Sequence, residues 1–157
     1  MTNDSKPRDA DRAASLKLWV VLSRAHEALA ESARLDVERG GLSLTEFGVL
    51  EALFHKGDLS AGEVSRRVLL RSGSLTYVID KLVERGLIKR RACDTDRRRT
   101  YLSLTARGRS TMRRIWPGHA AAIQRATDGL SRAEKMAAVR LLKRLGLFAG
   151  LNGGREP

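Results

Sequence analysis

The chain is poor in the residues that carry most covalent and redox chemistry. It has one cysteine, Cys93, in 157 residues, which excludes an intramolecular disulfide and any zinc cage built on thiolates. Thiol economy of this kind suits the cytoplasm. The histidines His26, His55 and His119 lie too far apart for metal-ligand spacing, and neither a glycine-rich phosphate loop nor a nucleophile motif is present. No catalytic residue, metal or cofactor is expected, and the chain reads as a non-enzyme. Aromatic residues make up only 4%, so Leu, Val, Ile and Ala must build the core. No apolar run approaches the length that crosses a bilayer, and the polar opening lacks the apolar centre of a signal peptide. A membrane is therefore not an expected partner. Acidic residues are outnumbered as well: 18 Asp and Glu stand against 30 Lys and Arg, a net charge of +12. Such a balance attracts polyanions and repels other copies of the chain at long range.

What is present is mostly helical patterning, in a length that fits one domain or a small domain with helical extensions. Residues 1–14 read as a flexible arm. From Ser15, Leu18, Leu22, Ala25 and Leu29 recur at steps of three and four, with Trp19 and His26 on a neighbouring stripe. This helix is expected to stop at Gly40-Gly41. Ser43-Leu44-Thr45-Glu46 is a capping box flanked by Leu42 and Phe47 as a hydrophobic staple. Ser60-Ala61-Gly62-Glu63 repeats the device with Leu59 and Val64. The second helix is short, about Ala61 to Leu69. After the gap Leu70-Arg71-Ser72 another begins, with Leu75, Val78 or Ile79, and Leu82 on its buried stripe and Gly86 as its stop. Two helices joined by so tight a turn form a helix-turn-helix.

The period then changes. Leu87 to Arg91 and Thr100 to Leu104 are strand-like, and the charged stretch Ala92 to Arg99 between them makes a hairpin with a long basic tip. A helix-turn-helix followed directly by such a hairpin is a winged helix, predicted over residues 42–104. Thr105 caps a further helix, interrupted or kinked at Pro117-Gly118. Ser131-Arg132-Ala133-Glu134 is a third capping box, opening a last helix with Val139, Leu142, Leu145 and Phe148 on one stripe. The expected fold is mainly α with a small β-wing. Helices over 15–41 and 105–149 flank the winged helix for dimerisation, and 150–157 is a frayed tail.

Chemistry concentrates in two places. Lys89, Arg90, Arg91, Arg97, Arg98 and Arg99 crowd the hairpin, where a wing can follow the phosphates while the preceding helix enters the major groove. Asp96 can hold a neighbouring guanidinium in one orientation, and a narrow minor groove favours an inserted arginine. The helix from Ser72 offers Arg71, Ser72, Gly73, Ser74, Thr76, Tyr77 and Lys81. Small hydroxyls there suit phosphate and base-edge contacts, and Gly73 permits close approach to the backbone of the duplex. An RNA-binding winged helix is the competing reading, disfavoured because aromatics for stacking unpaired bases are scarce beyond Tyr77 and Tyr101.

With these residues in place the chain resembles the MarR family of bacterial repressors. The likeness runs from about Leu16 to Phe148. It is carried by Thr45-Glu46-Phe47-Gly48-Val49-Leu50, Ser72-Gly73-Ser74-Leu75-Thr76, Asp80-Lys81-Leu82-Val83-Glu84-Arg85-Gly86, and Asp96-Arg97-Arg98 followed by Leu104-Thr105-Ala106-Arg107-Gly108. The resemblance implies a triangular homodimer whose first and last helices interlock and whose winged helices bind a pseudo-palindromic double-stranded DNA operator. It also implies that Asp96 and Arg98 act as orienting carboxylate and minor-groove arginine. Tyr77 departs from the pattern, since many members have arginine there. Tyr77-Val78-Ile79-Asp80-Lys81, Arg91-Ala92-Cys93 and Ile115-Trp116-Pro117-Gly118-His119 resemble the quinone- and hydroquinone-responsive repressors. That likeness implies release by a small aromatic or electrophilic effector. Two routes are open: a phenolic ligand near Trp19, His26 and Phe47, residues that can equally be plain core and surface, or thiol chemistry at Cys93, which Arg90 and Arg91 favour and Asp94 and Asp96 oppose.

Overall fold

A computed structural model of the chain describes residues 5–68, 72–92 and 100–152. The element order is α1 (Ser5–Arg39), α2 (Leu44–Lys56), β1 (Leu59–Ser60), α3 (Ala61–Val68), α4 (Ser72–Glu84), β2 (Ile88–Ala92), β3 (Thr100–Leu104), α5 (Ala106–Ala126) and α6 (Arg132–Asn152). The winged helix and its mainly α setting are as expected.

Three boundaries differ from expectation. The stretch read as an arm to residue 14 is helical from Ser5. Its Ala, Arg and Asp residues tolerate a helix and Pro7 falls in the first turn, where no intrahelical N–H is needed. Apolar periodicity, the signal used to find helices, is simply absent from this exposed extension. Helix α5 continues across Pro117, so the interruption that was one of the two expectations there is not seen. A proline removes the hydrogen bond to the carbonyl four residues back, and both Pro117 and Arg113 are exposed, so water can take that carbonyl. Helix α6 reaches Asn152, three residues into the segment expected to fray.

The sheet holds a strand that patterning alone does not reveal. β1, only two residues long, pairs antiparallel with β3 through Leu59–Leu102 and Ser60–Tyr101. The β2–β3 hairpin runs from Ile88–Leu104 to Ala92–Thr100, giving the order β1-β3-β2. Ser60 thus ends a strand and caps α3: its N–H donates to Glu63 Oε2 at 2.8 Å and its Oγ accepts from the Glu63 N–H at 3.3 Å.

One core joins all of this. Phe47, Leu50 and Leu53 of α2, Val64 of α3, Leu82 of α4, Ile88 of β2 and Leu102 of β3 are buried together with Val37 of α1 and Met112 of α5. The base of α1 and the start of α5 therefore belong to the winged-helix core and are not separate from it. Thr105 fastens the corner between hairpin and α5. Its Oγ1 donates to the Gly86 carbonyl at 2.7 Å and accepts from the Gly108 N–H at 3.0 Å, while its own N–H donates to the Leu87 carbonyl at 3.1 Å. The outer half of α1 and all of α6 stand outside this core. They leave large apolar side chains in solvent, among them Trp19 at 68% exposure, Leu147 at 71% and Phe148 at 68%.

Candidate nucleic-acid interface

Helix α4 is amphipathic in the expected sense. Leu75, Ile79 and Leu82 face the core, and Thr76, Tyr77, Asp80 and Lys81 face outward. Tyr77 is 70% exposed, the largest apolar surface this helix offers. The adjacent strand β2 buries Ile88 and exposes Lys89, Arg90 and Arg91. The exposed cations thus lie on the wing base, beside the outward face of the recognition helix. Arg71, Cys93, Asp96, Arg97, Arg98 and Arg99 lie outside the described residues. For Ser72, Gly73 and Ser74 only the helical backbone is described.

Several of the expected contact residues already have partners inside the protein. Arg90 forms an ion pair with Asp80 of α4, which ties the wing to the recognition helix. Its neighbour Arg91 pairs with Asp58 before β1 at 3.3 Å. Lys81 Nζ sits 3.1 Å from Oε1 of Glu46, and Arg85 Nη1 reaches the same oxygen at 3.1 Å. Glu46 is also the capping-box carboxylate of α2, accepting the Ser43 N–H at 2.7 Å. Burial pushes its carboxyl up, but the Ser43 N–H and the charges of Lys81 and Arg85 outweigh this and hold it below the ordinary carboxylate range.

Sequence reasoning named Glu46 as a cap but missed its link to α4. The available signal was the spacing Tyr77, Lys81, Arg85, one stripe of a helix. It also passed over Arg66 and Arg67, exposed in the last turn of α3.

The expected effector residues do not come together within one subunit. Trp19 and His26 are exposed on α1, whereas Phe47 is buried where α1, α2 and α5 meet. Trp116 stacks on Phe47 at a ring separation of 6.5 Å and 7° between planes, and His119 approaches it to 4.3 Å. His55 adds an edge against Trp116 at 4.4 Å. His26 instead lines a surface groove with Leu44 at the start of α2. Among the described residues no group of three or more His, Cys, Asp or Glu could hold a metal. No described helix is long and apolar enough to cross a membrane.

Comparison with known proteins resolves the family. The MarR family signature matches residues 40–99. The chain is also 43% identical over 135 residues to the HTH-type transcriptional regulator MhqR of Bacillus subtilis, covering 86% of this chain and 93% of that protein. The chain belongs to the MarR family. Its coarse function follows: it is a DNA-binding transcriptional regulator. Solved MarR-type structures superpose well. Sco3205 of Streptomyces coelicolor, determined in complex with DNA, gives a TM-score of 0.78 at 22% identity, over 92% of this chain and 93% of that one. BpsR of Bordetella bronchiseptica, whose DNA binding is regulated by 6-hydroxynicotinic acid, gives 0.74 at 26% identity, over 82% and 92%. In MarR terms, α3 and α4 are the helix-turn-helix, β2 and β3 the wing, and α1, α5 and α6 the flanking helices.

Proposed function

We propose that this MarR-family chain is a homodimeric repressor without catalytic activity. Its two winged helices bind a pseudo-palindromic duplex operator, and a small phenolic or quinone-like compound releases it. The observation that carries the DNA reading is the joining of α4 to β2 through the Arg90–Asp80 pair, with Thr76 and Tyr77 exposed on the helix and Lys89, Arg90 and Arg91 exposed on the strand. Dimerisation is supported by the unburied apolar faces of α1 and α6. A cleft of about 440 Å³ between them is lined by Leu18, Leu141, Leu142, Leu145 and Phe148. Apolar area of this extent is costly in water and typical of a surface that a second subunit covers.

Release by an aromatic compound is supported by the junction of Phe47, Trp116 and His119, which lies between the flanking helices and the helix-turn-helix. A ligand that favours a subunit spacing unsuited to two successive grooves lowers DNA affinity by that difference alone. We favour reversible binding over oxidation of Cys93, because Asp94 and Asp96, beside it in sequence, oppose ionisation of the thiol.

Selection of genomic fragments on the purified protein tests the reading. Enrichment of sites with two half-sites about one helical turn apart is expected. Uniform recovery of all fragments would remove operator recognition. Calorimetric titration with simple phenols and hydroquinones should give saturable heat that Trp116→Ala abolishes and Cys93→Ser preserves. Release that persists in Trp116→Ala and is lost in Cys93→Ser would favour the thiol instead.

A further inference from the structure

We infer that Glu46 is a positioning residue that holds Lys81 back from DNA, leaving the recognition helix to read the duplex through its first two turns. This rests on the reading of α4 as the recognition helix. Lys81, by its place on the outward stripe, is a natural phosphate contact in sequence terms. The structure places its ammonium on a carboxylate whose side chain is only 3% exposed.

The geometry explains why that pairing prevails. Residues 77, 81 and 85 lie at helical spacing of four on one stripe of α4. At its start Tyr77 is in solvent. In the middle Lys81 leans onto Glu46. At the end Arg85 binds Glu46 and donates to the Gly41 carbonyl at 2.9 Å. The stripe therefore passes from open surface onto the corner between α1 and α2, and Lys81 is at the crossing point. Attraction to a buried carboxylate is screened by salt far less than attraction to a phosphate at a wet interface. Glu46 cannot turn away to release the lysine, because its other oxygen is committed to the Ser43 N–H that starts α2. Recognition helices contact base edges mainly with their N-terminal residues, which agrees with a helix whose later cation is clamped inward.

Salt dependence of duplex binding distinguishes a clamped lysine from a contacting one, because each phosphate neutralised contributes about 0.9 to the slope of log affinity against log salt. Fluorescence anisotropy with a labelled non-specific duplex, using the full dimeric protein, gives that slope. Lys81→Met should leave the wild-type slope unchanged. Glu46→Gln keeps a capping-box residue at the same position but frees the ammonium. It should tighten non-specific binding and steepen the slope by about 0.9 per subunit. The double variant should return to the wild-type slope. A shallower slope for Lys81→Met alone would overturn the inference, and that measurement stands even if Glu46→Gln fails to fold. An unchanged slope in a folded Glu46→Gln protein would overturn it too. Absence of any duplex binding by the wild type would instead bring down the DNA-binding reading on which it rests.

Discussion

His119 and Asp36 meet across the contact between α5 and α1, Nδ1 to Oδ2 at 3.3 Å, although 83 residues separate them. His119 is 7% exposed and its ring lies against Phe47, so this polar contact fixes an aromatic that belongs to both the helix-turn-helix core and the flanking helices. Asp36→Ala should remove the partner of a buried ring nitrogen. A loss of about 1–3 kcal/mol in urea unfolding is expected; no change would show that the contact contributes nothing.

Stability should fall in acid through Glu46. Its folded pKa lies below the ordinary value of 4.5. The stabilisation is therefore fully present above the unfolded value and is lost as pH falls through the lower, folded one. The unfolding midpoint should decline below about pH 4, and Glu46→Gln should flatten that decline. Parallel curves for the two proteins would assign the acid sensitivity elsewhere.

Gly108 permits the corner between hairpin and α5. A Cβ there would lie 2.0 Å from the Leu87 carbonyl oxygen, so backbone must move. Gly108→Ala should cost at least the upper part of the roughly 1–3 kcal/mol range for overpacking. Gly62, in the first turn of α3, meets only the far end of Arg66 at 3.9 Å. Gly62→Ala should instead stabilise by about 0.5–1 kcal/mol. Thermal unfolding of the pair checks both signs.

The apolar face of α6 predicts the assembly. Leu142→Glu with Leu145→Glu places two charges in the cleft beside Leu18 and Phe148. Sedimentation should show a monomer that retains its helical circular dichroism. A dimer that survives both changes would move the interface elsewhere.

Arg98→Ala tests the wing as the sequence reads it. Weaker duplex binding with a shallower salt slope is expected. An unaltered slope would deny the wing its place on the phosphates.

The capping boxes show what was legible beforehand. Ser43–Glu46, Ser60–Glu63 and Ser131–Glu134 all form, each with the serine N–H donating to the glutamate, because every atom involved lies within one turn. The recognition helix and hairpin were legible for the same reason: their periods and stops are local. The arm was misjudged because an exposed helix needs no apolar stripe. Trp19, His26 and Phe47 are not drawn together within one subunit, because stripe membership on α1 says nothing about which turn of that helix reaches α2.

Local hydrogen bonding and periodicity thus determined, from residue order alone, where the helices begin and that a basic wing follows a helix-turn-helix. Only the folded chain decided the pairings between distant segments. β1 is a strand solely because β3 lies beside it, Phe47 meets Trp116 and His119 solely because α5 returns to α2, and Lys81 is held at the surface solely because the Glu46 carboxylate lies within its reach. Such choices depend on which surfaces exclude water together, and that property belongs to no single segment.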